Sequence, residues 1–552
     1  NSSWAAGALC WRMARYLQER SRVGTAWRLA VDALSGLSGW VDSGGSSVER
    51  ITEMLRRGST ILVALLLAAS LTARGEEVGA CGPLSMDGEV YTLTKDVDAG
   101  AADPCFLVTC SDCTFDLSGH EIVFDSAAQG ETQAITVSGR GVTVRNGRIT
   151  QSGACGVRAE SCAGDIGVRL TGGNQPGNVR LEGLEVTVQG YDSYGIFASS
   201  HPPRADGLCN RAATLEIENC TVHHHGEYLS SRDGFTSTPI RINEWGTPVV
   251  LRGNTITDSP QGGMIISCWG GNEGVSGCQD GSIIEENLID IDDALYANPA
   301  GILLHSAQAF EIRRNRLTGD GMEGIQVEHA EYMETGERLR IYENELDLDC
   351  NFWPRGHSAG PGALQGVRLR YMIESTDVFD NTIRVNADSY GTEDEENQAI
   401  GIYLTCTHSD GRYGCKDVNI FRNNITAVAD GTQQKAVAFS LGSLAEGDTV
   451  EIYENTFISN NIVVRYGMSG AVTGRDVLTN NRLEFMDGQG FGRRTHYLRW
   501  GQGWSFHTVV RDLTYGGGAE ADDVEFVDAT ADGFSHEWTT QASVTDRNGS
   551  PV

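Results

Sequence analysis

The stretch Ile312–Ala330, IRRNRLTGDGMEGIQVEHA, sets two short phrases in a fixed order. The first, Ile312-x-x-Asn315-x-Leu317, places apolar residues on either side of an asparagine. The second, Gly324-Ile325-Gln326-Val327, alternates apolar and polar positions and runs into Glu328 and His329. The first phrase returns at Leu251/Asn254/Ile256, Ile284/Asn287/Ile289, Ile341/Asn344/Leu346 and Val378/Asn381/Ile383. It returns again at Ile420/Asn423/Ile425, Ile452/Asn455/Phe457 and Leu478/Asn481/Leu483. Earlier copies at Val144/Ile149, Leu181/Val186 and Ile217/Val222 keep the apolar residues without the asparagine. The second phrase recurs as GMII (263–266), GILL (301–304), GVRL (366–369) and GIYL (401–404). Period-two alternation with β-branched residues and bounding glycines is a strand signature. Short strands repeated in one order, none able to bury its apolar side alone, are expected to stack into an all-β solenoid.

Two solenoids compete for this pattern. VEIYENTF (450–457) fits the leucine-rich-repeat form, but that repeat is tighter in period, dominated by leucine, and returns through a helical segment. Here the spacing wanders, Ile and Val share the apolar sites, and a second strand phrase sits in nearly every repeat. A right-handed parallel β-helix fits better. The repeated asparagines are read as structural: Asn tolerates left-handed turns, and stacked amides form a ladder that satisfies buried polar groups.

Charge bounds the partners. The chain of 552 residues carries 74 Asp and Glu against 42 Lys and Arg, a formal net charge of −32. Only Lys95, Lys416 and Lys435 are lysines. A field of that sign repels nucleic acid and anionic lipid and keeps an exported protein soluble. Arg56-Arg57, the apolar run Ile61–Leu71 and the following TARGEE have the layout of a secretory signal peptide, too short to span a bilayer. The domain reading follows: 1–53 an over-extended leader, 54–75 the signal peptide, 76–143 an N-terminal cap and first rung, and 144–515 the β-helix. Residues 516–552 read as a linker and the first strand of a truncated immunoglobulin-like β-sandwich, from the terminal D-x-N-G-x-P-V. Close cysteine pairs support export, reading as loop staples at Cys110/Cys113, Cys155/Cys162, Cys209/Cys220, Cys268/Cys278 and Cys406/Cys415. Cys81 with Cys105 closes the N-terminal segment and leaves Cys350 over.

These phrases resemble the parallel β-helix repeat family of the pectin-lyase-like superfamily. CGPLSMDGEVYTLTKDVDA (Cys81–Ala99) followed by CTFDLSGHEI (Cys113–Ile122) is similar to the cap and first rung of such proteins. The resemblance covers roughly residues 81 to 515. It implies the fold and a protein that binds or cleaves polysaccharides, but it does not name a reaction.

In the G-apolar-x-apolar strand, the first and third positions after Gly point inward and the second and fourth are expected to face solvent. The outward positions of the middle rungs bring His305, Gln326, Glu328, Arg368, Arg370 and Tyr403 to one face. The functional reading makes Glu328, His305 and Arg370 catalytic, with Gln326, Arg368, Tyr403, Trp269 and Trp353 contacting a sugar chain. Glu328 or His305 would act as acid or base, and the arginines would pair with acidic groups of the polymer. The bland reading is a cross-rung ion pair of Glu328 with Arg368 and Arg370 on a solvated sheet. Paired carboxylates for hydrolysis are also present at Asp292-Asp293 and at Asp320 with Glu323. A lysine base for elimination could come only from Lys435, the one lysine on an expected strand. Asp258, Asp292, Asp320, Asp388 and Asp430 could hold Ca²⁺, although turn propensity alone explains most of them. In TVHHHGEY, His223 and His225 could share a face while His224 points away, and no further ligand completes a metal set. The expected function is thus a secreted polysaccharide-binding β-helix protein acting as a lyase or glycoside hydrolase on an acidic polymer. It would be monomeric or part of a longer surface protein, with no nucleic-acid partner. The alternative is a non-enzymatic cell-surface or adhesion rod.

Overall fold

The structure is a computed structural model. It describes residues 75–526 apart from short breaks and the longer segments 153–163, 201–212, 226–237, 268–280, 292–299, 331–336, 351–362, 388–397, 407–413, 430–434, 467–474, 487–495, 501–506 and 517–523. The expected leader, the signal peptide up to residue 74 and the segment 527–552 lie outside the described residues. So do Cys155/Cys162 and Cys268/Cys278.

The described residues form 41 strands and no helix, so none is available that is long and apolar enough to cross a membrane. Each rung contributes three strands, and each strand pairs in parallel with its counterpart one rung away. The first sheet carries the residues before the asparagine, as in Val249–Arg252, Ile283–Glu285, Glu311–Arg313 and Leu339–Tyr342. The second carries those after it, as in Thr255–Thr257, Leu288–Ile291 and Arg316–Gly319. The third carries the glycine phrases, as in Ala300–Ala307, Glu323–Ala330 and Gln398–Thr405. This is the right-handed parallel β-helix, the hand that parallel strands with successive crossovers adopt. The third sheet runs from Gly82–Leu84 to Val524–Phe526, which pairs with His496–Trp500.

Register explains the repeat. Ile284, Ile312 and Ile341 are consecutive partners in the first sheet, and Ile289, Leu317 and Leu346 in the second. Ile302, Ile325, Val367 and Ile402 follow one another in the third. All of them are 0–1% exposed, so one continuous apolar column fills the interior. Glycine opens the third-sheet phrase because the backbones there approach closely. A Cβ on Gly324 would lie 2.5 Å from the Gly366 carbonyl oxygen and 2.6 Å from Leu346 Cδ2.

The asparagines form the expected ladder. Asn315 Nδ2 donates to Asn344 Oδ1 at 2.9 Å and to the Ile284 carbonyl at 2.9 Å, and Asn315 N donates to Asn344 Oδ1 at 3.0 Å. The pattern runs from Asn254 through Asn287, Asn315, Asn344, Asn381, Asn423 and Asn455 to Asn481. The left-handed turn, however, belongs to the preceding residue. Gly253, Glu286, Arg314, Glu343, Asp380, Arg422, Glu454 and Asn480 have φ of 53–63°. The asparagine side chain is thereby turned inward, where its bonds to the neighbouring rung are made.

Cys81–Cys105, Cys110–Cys113 and Cys406–Cys415 are bridged as expected. The Cys209/Cys220 pairing is corrected, because Cys220 is a free, fully buried thiol. It occupies the ladder position in its rung, with its N–H on Asn254 Oδ1 at 3.0 Å, and burial pushes the thiol up to about 12.

Candidate functional site

The site lies on the outer face of the third sheet, and the expectation that this face is solvated is corrected. Ile265 and Leu303, at the second position after Gly, are 3% and 0% exposed. Gln326 is 1% exposed, Glu328 8%, Ser440 0% and Arg465 7%. Strand alternation fixes which way a side chain points but says nothing of what covers that face.

Three outward lines run along this sheet in register. Ala300, Glu323, Gln365, Ile400, Val437 and Ile462 make one. Leu303, Gln326, Arg368, Tyr403, Ser440 and Arg465 make the second, and Ser267, His305, Glu328, Arg370 and Thr405 the third. The middle rungs are polar. They are flanked by an apolar patch of Ile265, Ala300 and Leu303 on one side and one of Ile400, Val437 and Ile462 with Tyr403 on the other.

The polar centre brings together most of the residues singled out from sequence. His305 Nδ1 lies 2.8 Å from Glu328 Oε2, and Arg370 Nε lies 3.2 Å from Glu328 Oε1. Gln326 Nε2 donates to the same Oε1 at 2.6 Å. Arg368 instead pairs with Glu323, which is 1% exposed. The strand Ala363–Phe379 supports this arrangement by turning from the third sheet into the first without a break. Its Tyr371, at φ 76°, stacks on His329 and lies beneath the Arg370 guanidinium, 4.1 Å from ring centroid to Cζ. His329 lies inside the strand Glu323–Ala330, itself at φ 60°.

The two carboxylates are pushed in opposite directions. Complete burial holds Glu323 above the usual carboxylate range; the Arg368 charge and hydrogen bond oppose this, and the negative charge of Glu328 adds to it. Burial also acts to raise Glu328. There, however, the hydrogen bond and charge of His305, with the charges of Arg370 and Arg368, outweigh it and leave the group below its ordinary value.

Glu323 was legible only as a partner for Asp320, which lies outside the described residues; its observed partner is Arg368. Gln365 was missed. Both stand one residue before the glycine, where strict alternation would turn them inward with Ile325 and Val367; alternation breaks at the glycine, whose own Cβ would meet core Leu346 and Leu348, and that break hid them. Trp269, Trp353, Asp292, Asp388, Asp430 and the Lys435 side chain lie outside the described residues. Among the described residues no group of His, Cys, Asp and Glu could hold a metal ion. Asp258 accepts from Thr257 Oγ1 at 2.9 Å and lies 3.2 Å from His223 Nδ1. His224 points into the core, its Nε2 3.0 Å from the Ser193 carbonyl, and burial lowers it to about 4.

No protein-family model and no curated protein matches the chain. Solved structures do. The Dettilon tailspike protein matches at 15% identity and TM-score 0.33 over 72% of this chain, which spans 59% of that protein. A mutant tailspike protein of E. coli bacteriophage HK620, in complex with a pentasaccharide, matches at 10% identity and TM-score 0.34 over 84% and 76%. The Azotobacter vinelandii mannuronan C-5 epimerase AlgE4 A-module matches at 12% identity and TM-score 0.28 over 84% and 93%.

Proposed function

We propose that the outer face of the third sheet binds a polysaccharide and that the cluster at its centre hydrolyses a glycosidic bond. The observation carrying this reading is the pair of glutamates on one strand, pushed in opposite directions from their ordinary values by their surroundings. Glycoside hydrolysis needs such a pair. Glu323 gives its proton to the departing glycosidic oxygen. Glu328 faces the positive charge developing at the anomeric carbon and takes the proton of the attacking water. His305 and Arg370 keep Glu328 ionised and oriented, and Gln326 fixes one of its oxygens. Tyr403, only partly buried, offers a ring face to a sugar.

The test is to incubate purified protein with a broad panel of polysaccharides and measure new reducing ends. Glu328→Gln and Glu323→Gln should each lower the rate by about 10²-fold or more, the usual contribution of a positioned acid or base. Their melting temperatures decide how a loss is read. A rod without catalysis is favoured by one observation, the near-complete burial of Glu323. That reading prevails if no polymer is cleaved, or if the folded variants cleave as well as the parent.

A further inference from the structure

We infer that the polymer taken by this site is neutral and rich in free hydroxyls, not acidic. The inference rests on the proposed sugar site and follows from what the site has left to bond with.

Both guanidiniums at the centre already have carboxylate partners, Arg370 in Glu328 and Arg368 in Glu323. A uronate or sulfate pairing with either would have to displace an internal carboxylate and leave it buried and unpaired, the costly way to break a buried ion pair. The rest of the chain, at a net −32, repels a polyanion before it arrives.

The uncommitted atoms at the centre are mixed. Gln326 Oε1 and Gln365 Oε1 are buried acceptors with no hydrogen-bond partner, and Arg368 Nε is a buried donor with none. Glu323 Oε2 is likewise a buried oxygen with no hydrogen-bond partner, while Arg368 pairs with the other oxygen. Gln326 is 1% exposed and Gln365 6%, so neither is satisfied by bulk water. Glu323 and Gln365 are register partners, and Gln326 and Arg368 form the next line on the same two strands. The four atoms therefore come from one patch.

A cation would satisfy the two amide oxygens and be repelled by Arg368. An anion would satisfy the Arg368 N–H and meet the buried oxygens with no proton to offer. A hydroxyl both donates and accepts, so neighbouring sugar hydroxyls satisfy that N–H and the acceptors together. A site built to bond hydroxyls rejects analogues lacking them, because its own buried groups are then left unpaired. Gln365 and Gln326 are accordingly assigned as specificity-determining residues.

The experiment measures binding of the whole purified chain to mannan, galactan, xylan and dextran, and to polygalacturonate, alginate and chondroitin sulfate, at low and high salt. It includes polygalacturonate whose carboxyl groups have been reduced to alcohols. Binding confined to neutral polymers and insensitive to salt is expected. Gln365→Ala and the isosteric Gln365→Glu should each weaken binding about 10-fold or more, the scale of one or more lost hydrogen bonds in a buried site. Preference for the polyanions, or loss of binding on carboxyl reduction, overturns the neutral-polymer inference and leaves the polysaccharide site standing. Failure to bind any polymer overturns both. Unchanged affinity in both folded Gln365 variants overturns the assignment of that residue.

Discussion

A buried carboxylate away from the site shows how far a single residue sets the molecule's response to pH. Asp165 is 0% exposed and accepts from Thr132 N at 2.8 Å, Thr132 Oγ1 at 3.0 Å and Gln151 Nε2 at 2.5 Å. Burial pushes it up to about 8, the Thr132 N–H opposing and the hydrogen bond and charge of neighbouring Asp125 adding to the rise. An acid whose folded value lies above its unfolded value stabilises the fold fully only below the unfolded value, and loses that contribution as pH rises toward 8. Buried His224, lowered to about 4, acts in the other direction, its cost appearing as pH falls from about 6.5 toward 4. The two oppose each other in mildly acidic solution, and above about pH 6.5 Asp165 acts alone. Stability should therefore decline between about pH 6.5 and 8 by up to about 1.4 kcal/mol per unit. Thermal melts at closely spaced pH values would show the decline, and Asp165→Asn should flatten it. A parent curve already flat there would contradict the raised Asp165.

At the scale of the element, the ladder strand and its turn carry the sharpest expectations. Asn315→Ala removes the acceptor of Asn287 N and Asn287 Nδ2 and the donor to the Ile284 carbonyl, all in a buried column. Leaving buried polar groups unpaired costs about 1–3 kcal/mol for each, so denaturant melts should show a loss of at least about 2 kcal/mol. Gly324→Ala should be at least as damaging, since its Cβ meets backbone from the next rung. The sequence made these elements legible because each repeat must put apolar residues at the same places in the rung, and Ile312, Leu317, Ile325 and Val327 are all buried where the phrases put them. It hid what depends on neighbouring rungs. Cys220 looked like half of a loop staple although it stands three residues after Ile217, in the asparagine's place; that a thiol there is buried in the column shows only in the structure. Leu303 and Gln326 looked solvated because alternation reports direction and not cover. Glu323 lay in plain view beside Asp320, but its partner Arg368 is one rung and 45 residues away.

Across the whole solenoid, contacts join each rung to its neighbours, so damage at one place should stay local. Cys81–Cys105 and Cys110–Cys113 staple the earliest described rungs, while Cys406–Cys415 lies far along the stack. Replacing Cys81 and Cys105 by Ser should raise amide hydrogen exchange near Gly82–Leu84 and Phe106–Val108 and leave Ile325–Val327 as slow as before. Faster exchange throughout would mean the stack unfolds as one unit. The asparagine column has a consequence at this scale as well. From Asn254 to Asn455 every side-chain amide offers its N–H to the oxygen of the next asparagine, toward higher residue numbers. Rotating one amide end over end would set N–H against N–H on one side and oxygen against oxygen on the other. The bonds to backbone N–H and carbonyl groups hold every amide the same way, so the column reverses neither singly nor together, and its amides form a polar wire whose sense is locked along the axis, each bond polarising the next.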